Sequence, residues 1–272
     1  MHDLKAIIFD MDGTLADTED VHRQSFNQAF LEFNFDWQWS IEEYKHLLAI
    51  SGGKERICDY FDQQNFVSTE NEELLALAIT VHKRKSDIYR EMLVAGHIQL
   101  RAGVRRLIED ARNNNLILAI ATSSSLKNVE TLLTNTLGKN SLSYFSVIIT
   151  SDDVDEKKPS PAVYLKTLAE LGLAAKNCVA IEDTYNGNRS AVDASLKTVI
   201  TTHIYTSDDD FSGASLVVDQ LGEPDQAFTL QAGDCFNKTF VDVVLLQSIC
   251  SLSTPAQSKS DWSPAQITNA TS

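Results

Sequence analysis

Lys5-Ala6-Ile7-Ile8-Phe9-Asp10-Met11-Asp12-Gly13-Thr14-Leu15 is the segment on which the reading of this chain turns. Its apolar run, Ala6 to Phe9, is bounded by polar residues and predicts a short buried strand that delivers two aspartates to its C-terminal end. Open α/β sheets hold their ligands at that end. Gly13 supplies a permissive backbone for a turn just beyond. A solvated Asp-Asp-Gly turn is the plain alternative, and such turns are common. Against it stand Thr14 and a second acidic group, Asp17, Glu19 and Asp20, a few residues further on. Carboxylates this dense repel one another unless protons or a cation neutralise them. A hard divalent ion with oxygen ligands, magnesium before others, answers that need.

Composition narrows the classes. With 272 residues, 43% of them apolar, the chain can bury an ordinary core and a smaller inserted one. A formal net charge of −15 disfavours nucleic acid and anionic membranes as partners, because both reward Lys and Arg. Any phosphate pocket must then carry its own cations. The 4 cysteines, Cys58, Cys178, Cys235 and Cys250, show no metal-ligand spacing and read as reduced, mostly buried thiols of a cytoplasmic protein. The strand starts so near Met1 that no signal peptide is expected. No apolar run reaches the roughly 20 residues of a membrane helix; the longest, Phe240 to Cys250, is interrupted by Asp242 and Gln247. A monomer is expected.

Along the chain, Thr18 to Phe33 has helical periodicity, with Asp17 or Thr18 as its cap and with Glu19 and His22 on one face near the aspartate turn. From Asp36 to about His97 the pattern holds helices and no strand, the last of them capped by a Thr69–Glu72 box. Between two of these helices, Gly52-Gly53 followed by Lys54, Glu55 and Arg56 reads either as a plain turn or as an anion site at a helix N-terminus. Strands resume with Leu116 to Ala121, which ends at Thr122-Ser123-Ser124-Ser125, and Phe145 to Thr150 follows. Lys157-Lys158-Pro159 then leads into a helix from Ala162 to Leu171, with Lys157 read as solvated. Next come Cys178 to Ile181, ending at Glu182-Asp183-Thr184, then Lys197 to Thr201 and Ser215 to Asp219. Beyond that the signal fades, and 251–272 reads as a disordered tail.

Taken together, the D-x-D-G-T pattern, Thr122, the K-P-x-P spacing at Lys158 and the Glu182-Asp183 pair resemble the four motifs of the haloacid dehalogenase-like hydrolases. The resemblance implies a Rossmann-like α/β parallel-sheet core, residues 1–16 and 98–250, with an inserted helical cap, residues 17–97. It implies Asp10 as the nucleophile that takes up a phosphoryl group and Asp12 as general acid and base. Thr122 and Lys158 would bind the phosphoryl oxygens, and Asp10, Asp12, Glu182 and Asp183 would hold Mg2+. Asp12 is expected to have raised proton affinity beside the other carboxylates. In the cap, Glu19, His22, Tyr44 and the Gly52-Gly53-Lys54-Glu55-Arg56 segment resemble the CbbY branch of xylulose-1,5-bisphosphate phosphatases. That implies a sugar phosphate or bisphosphate as substrate, bound by Glu19, His22, Tyr44, Gly52, Gly53, Lys54, Arg56 and Ser123. Two departures are visible: Ala194-Ser195 where the family has Ala-Gly, and Ala102 where relatives commonly carry Pro. A β-phosphoglucomutase and a catalytically silent protein on the same fold are the rival readings.

Overall fold

The computed structural model describes residues 3–50, 52–64, 71–96 and 98–252. Its elements run in chain order as β1 (Ala6–Phe9), α1 (Glu19–Glu32), α2 (Ile41–Leu47), α3 (Gly53–Gln63), α4 (Asn71–Val94), α5 (Val104–Asn113), β2 (Ile117–Ala121), α6 (Leu126–Leu137), β3 (Val147–Ile149), α7 (Ala162–Leu171), β4 (Cys178–Glu182), α8 (Tyr185–Asp193), β5 (Lys197–Thr201), β6 (Leu216–Val218), β7 (Leu230–Gly233) and α9 (Val243–Ser251).

The strands form one sheet in the order β3-β2-β1-β4-β5-β6-β7, parallel except for the antiparallel edge pair β6–β7. β1 lies in the interior of the sheet, between β2 and β4, because every one of its residues is apolar and both sheet faces are covered. Ile7 and Phe9 enter a core shared with α5, α6 and α9. Ala6 and Ile8 point the other way, into the layer made by α7 and α8. Full burial of a side chain the size of Ile7 or Phe9 contributes about 1.5–3 kcal/mol. Strand order reverses on either side of β1, which opens a crevice beyond its carboxyl end.

Helices α1–α4 form a separate layer between β1 and α5, around the buried Phe26, Phe30, Trp39, Tyr44, Ile57 and Phe61. Trp39 meets Phe26 at 4.6 Å and Phe30 at 4.9 Å between ring centroids. This layer contacts the sheet unit through polar groups as well: Lys45 Nζ lies 2.7 Å from Asp208 Oδ2, and Lys157 Nζ lies 3.1 Å from Glu55 Oε1.

Several local expectations change. Lys157 is exposed but ion-paired to Glu55 rather than solvated alone. Thr18 occupies the start of α1 without capping it; its hydroxyl accepts instead from the Gly13 N–H at 3.2 Å. Ser125 holds the N-cap position of α6 without a side-chain capping bond. The capping box that is seen joins Ser40 and Glu43 at α2, while Thr69 lies outside the described residues. β7 and α9, absent from the sequence reading, complete the C-terminal part; α9 takes in Ser251, the first residue of the expected tail, and 253–272 lies outside the described residues. Among the described residues, no helix is long and apolar enough to cross a membrane. Cys178 and Cys250 are buried, Cys58 and Cys235 half-buried, and all four are free thiols.

Candidate active site

Register places the first group of residues. Phe9 is level with Ile120 of β2 and with Ile181 of β4. The next residue on each strand, Asp10, Ala121 and Glu182, is therefore level too, at the carboxyl edge of the sheet. Lys158, from the loop between β3 and α7, reaches all three: Nζ donates to Asp10 Oδ1 at 2.6 Å, to Glu182 Oε1 at 2.6 Å and to the Ala121 carbonyl at 3.0 Å. Its ammonium is buried, with all three protons used, so it is held as a fixed point charge. The Lys158–Pro159 peptide bond is cis. Tyr164 of α7 donates its hydroxyl to the same oxygen, Glu182 Oε1.

Asp10, Glu182 and Asp183 offer carboxylate oxygens that all lie within 4.8 Å of one another, and all three residues are buried. Lys158 pairs with two of the three carboxylates, Asp10 and Glu182, and the shortfall of positive charge shows in their proton affinities. Burial, assisted by the charges of Glu182 and Asp12, pushes Asp10 up to about 8 against the opposing pull of Lys158. Asp183 is pushed up to about 6, again mainly by burial and despite the hydrogen bond from His203. Burial also raises Glu182. For Lys158 burial acts downward, but Asp10 and Glu182 outweigh it and hold the ammonium well above the usual lysine range. Three hard oxygen donors short of positive charge suit a cation such as Mg2+ or Ca2+, so the residues present fit a divalent ion.

Asp183 is held on both oxygens. Thr14 donates to Oδ1 at 3.0 Å, and His203 Nε2 stands 2.9 Å from Oδ2. Gly13, at φ 80°, packs so closely here that a Cβ would lie 2.1 Å from Asp183 Oδ2; only glycine fits. Arg101, which sequence reasoning passed over, ties the same turn down, donating to the carbonyls of Gly13, Thr201 at 2.9 Å, Thr202 at 2.6 Å and Asp219 at 2.8 Å.

Asp12 has other neighbours. His22 Nε2 and the Tyr89 hydroxyl each lie 3.2 Å from Asp12 Oδ1, and Lys85 Nζ lies 2.6 Å from His22 Nδ1. Because Nδ1 faces an ammonium donor, Nε2 carries the ring proton and donates to Asp12. Burial alone would raise Asp12, but His22 first, then Thr18 and Lys85, hold it down to about 2. The expected raised proton affinity is thus reversed: the groups nearest Asp12 come from α1 and α4 and are donors, not carboxylates. Lys85 itself is depressed to about 7, by burial and then by Arg56, and lies over the rings of Phe26 and Tyr89. Lys85 and Tyr89, four apart on α4, were not read from the sequence.

The remaining candidates fall in two groups. Glu19 is buried and accepts from the Tyr44 hydroxyl at 3.1 Å, and that hydroxyl accepts from Arg56 Nη1 at 3.2 Å. Arg56 Nε is committed to the carbonyls of Leu47 and Ile50, which fastens α2 to α3. Lys54 keeps a 41% exposed side chain and only a loose 3.6 Å pair with Glu55. Gly52 and Gly53 begin α3 as read, and a Cβ on Gly53 would lie 2.6 Å from His82 Nε2. Thr122 is buried; its Oγ1 accepts the Ser124 N–H at 3.0 Å, which leaves its own proton for another acceptor. Ser123 is exposed on the same turn.

A crevice at the switch point of a parallel sheet, with two aspartates, a buried lysine and a carboxylate triad, defines the class. Residues 7–201 match the haloacid dehalogenase-like hydrolase family, and the chain belongs to it. It is a phosphoric monoester hydrolase. In particular it is similar to CbbY of Rhodobacter capsulatus, 43% identical over 219 residues that cover 80% of this chain and 94% of that one. CbbY of Cupriavidus necator is 42% identical over 221 residues, covering 81% and 87%. A solved structure of mutant CbbY from Rhodobacter sphaeroides, in complex with xylulose-1,5-bisphosphate, has 38% identity and a TM-score of 0.73 over 80% of this chain and 94% of that one. β-Phosphoglucomutase from Clostridium difficile shares the fold alone, at 22% identity and a TM-score of 0.63 over 80% of this chain and 91% of that one.

Proposed function

We propose that the protein is a magnesium-dependent phosphatase of a sugar bisphosphate like xylulose-1,5-bisphosphate, working through an aspartyl phosphate on Asp10. The observation that carries this reading is the 2.6 Å contact of Lys158 with Asp10 inside the carboxylate cluster. It sets a nucleophile and a fixed cation at one strand edge. The CbbY relative seen with that bisphosphate supports the choice of substrate. Magnesium would be held by Asp10, Asp183 and the backbone carbonyl of Asp12, with Glu182 beside them; when bound it would offset the raised proton affinity of Asp10, keeping the nucleophile ionised, and shield its charge from the phosphate.

Asp10 attacks phosphorus; as it does so the Lys158 N–H held by Asp10 Oδ1 is released to donate to an equatorial oxygen, and the Thr122 hydroxyl donates to another as charge redistributes. Glu182, held by Tyr164, keeps Lys158 in place. Asp12, ionised in the arrangement seen, is set to take the proton of the water that cleaves the aspartyl phosphate. Its earlier role as acid on the leaving oxygen needs a proton taken up with the substrate, whose dianionic phosphate adds negative charge and raises carboxylate proton affinity.

Residues 17–97 act as a cap that selects the sugar over a core made of 1–16 and 98–250. Glu19, fixed by Tyr44 and Arg56, accepts from sugar hydroxyls, with His22 alongside. The half-exposed Lys54 side chain and the N–H groups of Gly52 and Gly53 receive the distal phosphate. Ser123, at the mouth, completes the substrate side. Steady-state kinetics on Lys54→Ala test the assignment. A charge-assisted hydrogen bond is worth about 1.5–3 kcal/mol, so KM for a sugar bisphosphate should rise roughly ten- to a hundredfold, with an aryl phosphate nearly unaffected. Equal losses on both substrates would refute the distal-phosphate role.

A further inference from the structure

β5 brings a fifth strand end to the same edge, and a residue just beyond it touches the carboxylate cluster without belonging to it. Glu182 is level with Ile200 across the β4–β5 pair, so the chain leaving β5 at Thr201 passes beside Asp183. His203 follows two residues later. Its Nε2 stands 2.9 Å from Asp183 Oδ2, and its Nδ1 accepts the Tyr205 N–H at 3.3 Å. An Nδ1 that accepts carries no proton, so the ring proton sits on Nε2 and points at the carboxylate.

The ring has little freedom. Thr206 closes the turn from both directions: its N–H donates to the His203 carbonyl at 2.9 Å, and its hydroxyl accepts the His203 N–H at 3.2 Å. Tyr205 anchors the loop in the helical layer, where its ring lies 5.7 Å from that of Tyr44 and its hydroxyl donates to Asp20 at 2.6 Å. Only 7% of the His203 side chain is exposed. Both ring nitrogens are engaged, which leaves none for a substrate. Among the described residues, the three able to hold an ion together are Asp10, Glu182 and Asp183, and His203 is outside that group.

We infer that His203 is a positioning residue for the metal ligand Asp183: its Nε2–H fixes the rotamer of the carboxylate and leaves the remaining lone pairs aimed into the cluster. The inference rests on the reading of Asp183 as a ligand. Thr14 braces the other oxygen, so the carboxylate is oriented before any ion arrives. Outer partners of this kind are worth roughly ten- to a hundredfold in metal affinity.

The test is calorimetric titration of the full-length chain with magnesium alone, without substrate, at one fixed pH. Wild type should bind one ion and Asp183→Asn should lose it. His203→Leu should bind about ten- to a hundredfold more weakly with an unchanged melting temperature in the absence of metal. His203→Gln, whose amide N–H falls near the Nε2 position, should recover to within a few-fold of wild type. His203→Asn, which mimics Nδ1 instead, should not, and it serves in place of His203→Leu if that variant does not fold. Wild-type affinity in His203→Leu or His203→Asn, or a His203→Gln variant that melts normally yet binds as weakly as either, overturns the role of His203 alone. Binding that survives Asp183→Asn, or wild type that binds no magnesium, overturns the ligand reading and this inference with it.

Discussion

Lys85→Met should make the protein more stable at pH 6 and less active, and the stability gain should vanish on the alkaline side. The lysine is buried, and its proton affinity falls from 10.5 to about 7, first by burial and then by the charge of Arg56. At 1.36 kcal/mol for each unit, keeping the ammonium charged in place costs about 5 kcal/mol. The bond to His22 Nδ1 at 2.6 Å returns about 1–2 kcal/mol, so a net gain of about 3 kcal/mol is expected on its removal. The direction with pH follows from the depressed lysine. Below pH 7 it is charged both folded and unfolded, and the destabilisation is complete. Between 7 and 10.5 only the unfolded chain holds the proton, so wild-type stability climbs with pH relative to the variant. Above that range both states are neutral and the gain is gone, leaving at most the lost hydrogen bond. Paired thermal melts of the two proteins at pH 6, 8 and 10 measure the difference, with the titrations of groups remote from Lys85 common to both. A variant less stable than wild type at pH 6, or a difference that does not move with pH, would refute the reasoning. A residue that costs stability where it stands is consistent with a role beside Asp12.

Two other substitutions follow from the same geometry. Tyr44→Phe keeps the ring but removes the hydroxyl between Glu19 and Arg56; stability should drop by about 1–2 kcal/mol, and KM should rise for a sugar phosphate but not for an aryl phosphate, with equal changes counting against the positioning of Glu19. Ser195 holds φ 65° at the end of α8, where the Ser195 N–H donates to the Val192 carbonyl and the Leu196 N–H to the Ala191 carbonyl, the pattern that favours glycine. Ser195→Gly should therefore raise stability by about 1 kcal/mol with kinetics unchanged, and a melting temperature at or below wild type would be the contrary result.

How much of this was legible in the sequence depends on how each residue reaches the site. β1, β2 and β4 are buried on both faces, so they read as continuous apolar runs, and the residues that carry chemistry come straight after them. Asp10, Thr122, Glu182 and Asp183 were therefore visible, and Lys158 followed from its proline spacing. α9 was hidden because Asp242 and Gln247 looked like interruptions; Asp242 caps the helix by accepting from the Leu245 N–H, and Gln247 accepts the Leu4 N–H at 2.9 Å. β7 is largely exposed and lacks the alternation of a half-buried strand. Lys85 and Tyr89 sit on a long helix whose periodicity does not say which neighbour each face meets. The state of Asp12 was misjudged for that reason, since its partners are supplied by α1 and α4 rather than by the acidic residues beside it in the chain. His203 had one usable signal: a polar residue just past a fifth buried strand that ends at the same edge.

A rapid-mixing measurement on Asp12→Asn with magnesium and p-nitrophenyl phosphate tests the central claim most directly. The nitrophenolate leaves without a proton, so the variant should still phosphorylate Asp10 but fail to activate water. The account predicts a burst of one nitrophenolate per chain, followed by a stalled enzyme whose Asp10 peptide carries one phosphoryl group, and no burst in Asp10→Asn. Steady turnover without a burst in Asp12→Asn, or undiminished turnover in Asp10→Asn, would contradict it.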